Sequence, residues 1–171
     1  AGSFGRAPMK QSREQFKNIL MGKPTSLLCG KAKVFSKGSA MGKITGGCLT
    51  LLCRSLGTSY DIQTNNRILF IEDVSEPLYK LDGMLWQLKA AGKFKGVRGV
   101  IFGEMVNCNS QKPRDGKFEN ILYDLFPKPE IPILTHCPIG HSNEIWTLPL
   151  ETQAILDTSI KTLKLKNCGV K

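Results

Sequence analysis

The stretch "RILFIEDVSEPLYKLDGMLWQL", residues 67–88, constrains the fold more tightly than any other part of the chain. Its apolar run, Ile68 to Ile71, is too short for a helix and has no polar alternation. That pattern predicts a central strand covered on both faces. The run stops at two carboxylates, Glu72 and Asp73, and Leu78, Leu81, Leu85 and Leu88 then recur at spacings of three and four. Those spacings predict a helix, with Ser75 as its cap, Pro77 in its first turn and Gly92 at its end. A buried strand running straight into an amphipathic helix is the unit from which α/β sheets are built.

The flanking sequence extends the pattern. "SREQFKNILMG" reads as a weak helix closed by Gly22 and Pro24, within a linker or inter-domain segment over residues 1–25. Two short strands follow in "TSLLCGKAKVFSKG", where Ala32 and Val34 alternate with Lys31 and Lys33. "GKITGG" reads as a glycine turn feeding a helix that carries Leu49, Leu52, Cys53 and Leu56 on one face and ends at Gly57. Downstream, "VRGVIF" reads as a strand, "FENILYDLF" as a helix with Phe118, Ile121, Leu122 and Leu125 on its apolar face, and "IPIL" as a strand. The tail reads as consecutive strands, with Leu163 and Leu165 alternating with lysines along a half-exposed edge. The expected fold is therefore α/β, a mixed sheet flanked by helices, in one domain over residues 26–171.

Composition narrows the function classes. The charge of +10 raises the question of nucleic acid, but the lysines are scattered singly and no aromatic residues are interleaved with them. A solvated basic face accounts for that distribution better than a groove for DNA or RNA. No apolar run reaches the roughly 20 residues of a membrane span, and no signal peptide is recognisable at the start. The six cysteines form no C-x-x-C pair, and a core of this size does not require disulfides, so reduced thiols and a cytoplasmic location are expected.

Ligand sites in open α/β sheets gather beyond the carboxyl ends of the strands. Glu72 and Asp73 stand at such an end, where a helix macrodipole also explains a single acid without any function. The second candidate is "THCPIGHSNEIWTLP", in which Pro138 and Gly140 hold a loop before His141. An imidazole there can serve as a general base. A metal site from His136, Cys137 and His141 fits no trusted zinc spacing and has no evident fourth ligand, so no metal is expected. Gly46 and Gly47 place bare amides at a helix start, a carboxylate-binding corner or simply a tight turn. An acid and a histidine on separate strand-end loops are two-thirds of a nucleophilic triad. A G-x-S-x-G elbow does not occur, and Ser59 lacks its setting.

The blocks from "GGCLTLLCRSLGTSYD" through "RILFIEDVSEPLYKLDGMLWQL" and "GVIFGEM", followed by "IPILTHCPIGHSNEIWTLPL", resemble the C-terminal domain of the LD-carboxypeptidases. This family of serine peptidases also includes the microcin C immunity proteins. The resemblance runs from about Gly46 to Leu165, with the blocks in family order. It implies a swivelling β/β/α-type domain that supplies the glutamate and histidine of a Ser-His-Glu triad, here Glu72 and His141. The serine is then carried by an N-terminal nucleophile domain absent from this chain, which would be inactive alone. An excised domain also agrees with Ala1 in place of Met. The implied reaction is hydrolysis of the L-D amide to a terminal D-amino acid in murein peptides, in peptidoglycan recycling, by a cytoplasmic homodimer without a cofactor. Gly47, Cys48, Asp73 and Glu104 are candidate substrate-binding residues. An immunity-type peptidase acting on a peptidyl-nucleotide, or a non-catalytic binding or dimerisation module, are the alternatives. Three positions depart from the family pattern: Cys48 replaces an asparagine, Gly83 an arginine, and Glu151 a glycine. The last is expected to alter the loop near His141.

Overall fold

The computed structural model describes residues 10–108, 116–141 and 144–166. Eight strands form one mixed sheet in the order β1-β8-β7-β3-β4-β5-β6-β2. In chain order the elements are α1 (Lys10–Leu20), β1 (Ser26–Leu28), β2 (Lys33–Ser36), β3 (Ser39–Cys48), α2 (Leu49–Ser55) and β4 (Arg67–Val74). They continue with α3 (Leu78–Ala90), β5 (Gly99–Val106), α4 (Phe118–Leu125), β6 (Ile133–Cys137), β7 (Gln153–Asp157) and β8 (Thr162–Leu165). The expected α/β class and mixed sheet are present, and β4 is central as its unbroken apolar run requires.

Strands β3 to β6 are parallel neighbours in sequence order, joined through α2, α3 and α4. Crossovers of one hand that step in one direction must lay their helices on one face. That face holds the first core, where Leu49, Leu52, Leu81, Leu85, Leu88, Leu122 and Leu125 pack on Leu69, Ile71, Val100 and Phe102. The second core lies on the other face, where Ile44, Ile68, Ile101 and Leu134 meet Leu156, Leu163, Trp146 and Ile19 of α1. A Cβ on Gly99 of β5 would come within 2.9 Å of Leu156 of β7, although β3 and β4 lie between those strands. Flat strands spaced about 4.8 Å apart could not meet so closely. The sheet is rolled, and among the described residues α1 and the loop after β6 pack into its concave side.

Several local expectations change. "GKITGG" lies inside β3, with Ile44 fully buried, and is not a turn. Its glycines permit close approach: a Cβ on Gly42 would meet the backbone of Asn66 and Ile68 at 3.1 Å, and one on Gly46 would collide with the Phe70 carbonyl. Ser75 does not cap α3. It takes φ of 58° and gives its N–H to the Val106 carbonyl, and Pro77 is the N-cap. Gly92, at φ of 74°, does follow the helix end. Strand β8 is interior, since β1 covers its outer side. In β2 the burial falls on Ser36 and partly on Phe35, while Val34 is exposed. The helix expected before Gly22 is present as α1, which buries Ile19 in the second core.

Candidate active site

Residues along β4 alternate between the two cores: Ile68 faces the concave side, Leu69 the helices, Ile71 the helices again. Glu72 therefore points to the concave side, where it is only 6% exposed. Regular pairing breaks at this level on both sides of β5. Ile71 and Asp73 of β4 oppose Phe102 and Met105, and Ile101 and Gly103 of β5 oppose Leu134 and Cys137. Each break is an extra residue in one strand, a bulge that bends the strand end. On β6 the irregularity coincides with His136, held at φ of 58°.

Beyond that bend, Ile139 gives its N–H to Cys137 (2.7 Å) and Trp146 gives its N–H to Pro138 (2.6 Å), closing the loop on its own base. Ile139 and Trp146 are both buried in the second core. The closed loop carries His141 to the mouth of the rolled sheet, with Nδ1 at 2.9 Å from Glu72 Oε2. A notch without side chains makes this approach available. A Cβ on Gly103 would meet the Ile139 carbonyl at 2.7 Å and Glu72 Cβ at 2.9 Å. One on Gly140, whose φ is 96°, would overlap the Glu72 carboxylate itself. Both glycines are needed for the acid to pass under the loop.

The pair is asymmetric in solvent, with the Glu72 side chain 8% exposed and that of His141 53% exposed. A carboxylate only accepts, so the neutral imidazole carries its proton on Nδ1 and keeps a lone pair on Nε2. The arrangement is a buried acid against one nitrogen of a half-exposed imidazole, a geometry that can orient a base.

The other sequence candidates separate. Asp73 belongs to the start of α2: its Oδ2 accepts from the Thr50 N–H (2.9 Å) and Thr50 Oγ1 (2.8 Å), and its Oδ1 from the Val74 N–H (2.8 Å) and the Cys48 thiol (3.6 Å). It thus serves the helix before β4, where the sequence had suggested the helix after. Cys48 lies opposite Glu72 in register, and burial together with the charges of Asp73 and Glu72 pushes its thiol upward, so it stays neutral. Gly47 pairs with Ile71, with open space where a side chain would be. Glu104 lies in the bulge of β5 and lines a cavity of about 480 Å³ with Leu78, Phe118 and His136. Among the described residues no hydrogen bond or ion pair joins it to Glu72 or His141.

His136 is not brought to His141. Its Nδ1 faces Thr135 Oγ1 at 3.0 Å and its Nε2 faces Glu119 at 3.7 Å. Among the described residues no three of the types His, Cys, Asp and Glu converge as a metal site would need. The cysteines at 29, 48, 53, 108 and 137 are free, and Cys168 lies outside the described residues. No described helix is long and apolar enough to cross a membrane. Glu151 pairs with Lys43 and Arg67. Those lie five residues, roughly 16 Å of strand, from the Cys48–Glu72 level. Its departure from the family pattern therefore acts at the opposite end of the strands, away from His141.

Sequence reasoning missed Thr50 and the two notch glycines. The glycines stand beside motif residues, but only the pairing of β4, β5 and the loop reveals what they admit.

Comparison with known proteins shows what the chain is similar to. Residues 41–156 match the profile of the LD-carboxypeptidase C-terminal domain. A probable murein peptide carboxypeptidase of Bacillus subtilis is 36% identical over 126 residues, covering 73% of this chain and 40% of that protein. The murein tetrapeptide carboxypeptidase of Pseudomonas aeruginosa is 27% identical over 166 residues, 92% of this chain and 54% of its own. Among solved structures, muramoyltetrapeptide carboxypeptidase from Oxalobacter formigenes superposes with a TM-score of 0.74 at 28% identity, over 90% of this chain and 53% of that one. The microcin C7 self-immunity protein in complex with glutamyl sulfamoyl guanosine gives 0.69 at 25% identity, over 79% and 40%. The chain spans about half or less of the length of these relatives. It belongs to the LD-carboxypeptidase family, to which it contributes the C-terminal domain.

Proposed function

We propose that this chain is the acid-and-base half of a serine carboxypeptidase that removes a terminal D-amino acid from murein peptides. The observation that carries the reading is the 2.9 Å contact between His141 Nδ1 and the buried carboxylate of Glu72. An imidazole so held presents Nε2 as a base of fixed direction. The nucleophilic serine comes from an N-terminal domain outside this chain, so residues 26–171 alone do not turn over substrate. In the joined protein the serine hydroxyl attacks the carbonyl of the L-D amide while His141 Nε2 accepts its proton. His141 returns that proton to the departing amine of the D-amino acid, and the acyl-serine forms. Water then attacks the acyl group, with His141 again taking and returning a proton. Glu72 steadies the imidazolium in both halves and is not itself protonated.

Murein tetrapeptides are favoured as substrate by the names of the Bacillus, Pseudomonas and Oxalobacter relatives. A second reading, cleavage of a peptidyl-nucleotide, is supported by the likeness to the immunity protein that holds glutamyl sulfamoyl guanosine. Gly47, Cys48 and Glu104 are the residues of this chain proposed to lie nearest the peptide. A homodimer working in the cytoplasm on recycled wall fragments completes the proposal. The test uses the protein joined to its nucleophile domain, offered a tetrapeptide ending in D-alanine and, separately, an aminoacyl sulfamoyl nucleotide. Release of D-alanine, lost in His141→Ala, is the expected result. Turnover of the nucleotide alone would move the assignment to the second reading, and turnover of neither would overturn both.

A further inference from the structure

Helix α1 lies before the first strand and contributes no group to the Glu72–His141 pair. Even so, two of its polar residues meet one target. Ser12, 8% exposed, accepts through Oγ from the Ile145 N–H at 3.1 Å. One turn on, Gln15 takes both groups of Thr147: its Oε1 accepts from the Thr147 N–H at 3.2 Å, and its Nε2 donates to the Thr147 carbonyl at 3.1 Å. A side-chain amide that meets the N–H and C=O of one residue replaces the neighbouring strand that this extended segment lacks. Ile19 of the same helix enters the core that holds Ile139 and Trp146. The histidine loop is therefore pinned at one end by β6 and at the other by α1.

We infer that α1 is a positioning element for His141, with Ser12 and Gln15 setting the exit of the loop so that Nδ1 stays on Glu72. This rests on the reading of His141 as the base. Between its buried anchors the loop is closed by the Trp146 N–H on the Pro138 carbonyl. The imidazole is 53% exposed, so its direction follows from where the loop holds it and from the Glu72 contact. Freed of α1, residues 145–147 would gain water as their partner, and the imidazole would revert toward the other tautomer, with the proton on Nε2.

The test reads tautomer populations from the ring-nitrogen shifts of His141 in the 171-residue chain, above the pH at which the ring is charged. The other histidine, His136, is assigned by His136→Gln. The wild-type chain should hold Nδ1–H, and Ser12→Ala with Gln15→Ala should lower the ratio of Nδ1–H to Nε2–H about tenfold, the loss of two to three partly buried hydrogen bonds. Gln15→Glu keeps the acceptor for Thr147 and loses the donor, so it should fall between the two. It also carries the test should the double variant unfold. Ser12→Thr, which keeps the hydroxyl, should restore the ratio. An unchanged ratio in Gln15→Glu and in the double variant would overturn the role of α1. Glu72→Ala, which removes the acceptor, is the separate control: if it leaves the ratio unchanged, the acid–imidazole reading itself fails, whatever α1 does.

Discussion

Glu72 follows the alternation of β4 in direction and departs from it only in polarity, so a carboxylate occupies a place built for an apolar side chain. Desolvating it is tolerable because His141 Nδ1 meets it and because two glycines leave room. Glu72 and His141 could be named as candidates from local signals, an acid ending an apolar run and a histidine after Pro and Gly, but only the family resemblance joined them as a pair. The notch was not legible in the sequence, because it depends on residues 31 and 68 positions away from Glu72. Gly140→Ala is expected to lose the pairing, since its Cβ would overlap the Glu72 carboxylate at a φ that favours glycine. The variant should unfold about 1–3 kcal/mol more easily in denaturant melts and lose D-alanine release by at least about 100-fold in the joined protein. Asp73→Ala tests the division between neighbouring acids. Losing the Thr50 contacts at the start of α2 should cost about 1–2 kcal/mol of stability by the same melts, while His141 keeps its wild-type tautomer.

At the scale of elements, the apolar helix faces were readable because their contacts repeat every three or four residues. All four leucines of α3 are buried as their spacing requires. Strand β3 was not readable. Glycine is ordinarily a turn signal, and only the backbone of β4 alongside explains why it is required here. Gly46→Ala should therefore be among the most damaging single changes, leaving little soluble, cooperatively folding protein, whereas Gly47→Ala should be within about 1 kcal/mol of wild type. The α2–α3 contact carries a pH signature. Cys53 gives its S–H to the Met84 carbonyl at 3.3 Å, and burial, with Asp73 and Cys48 nearby, pushes its thiol from 9.0 up to about 11. The folded state thus keeps a proton that the unfolded chain gives up first. Its contribution to stability is intact below pH 9 and declines as pH rises toward about 11. Denaturation midpoints between pH 8 and 11 should fall less steeply in Cys53→Ala than in the wild-type chain.

The molecule as a whole is one rolled sheet with a helical core on its convex side and a second core on its concave side, which α1 and the histidine loop complete. Its class was evident from the order of strand and helix patterns. The roll was not, because curvature arises where Gly99 lets Leu156 cross above two intervening strands. The basic charge likewise gave no guide to the site, which is built from a buried acid and a half-exposed histidine. What the architecture supplies is a mouth where β4, β5 and the loop after β6 meet, with the buried Glu72 behind the half-exposed His141. The central claim is that Glu72 and His141 act there as a single unit, and a double-mutant cycle on the joined protein tests it most directly. D-alanine release is measured for Glu72→Ala, His141→Ala and the double variant. Each single change should lower kcat by at least about 1,000-fold, and the double should fall no further than His141→Ala alone. Losses that multiply, or a Glu72→Ala variant that turns over at the wild-type rate, would contradict it.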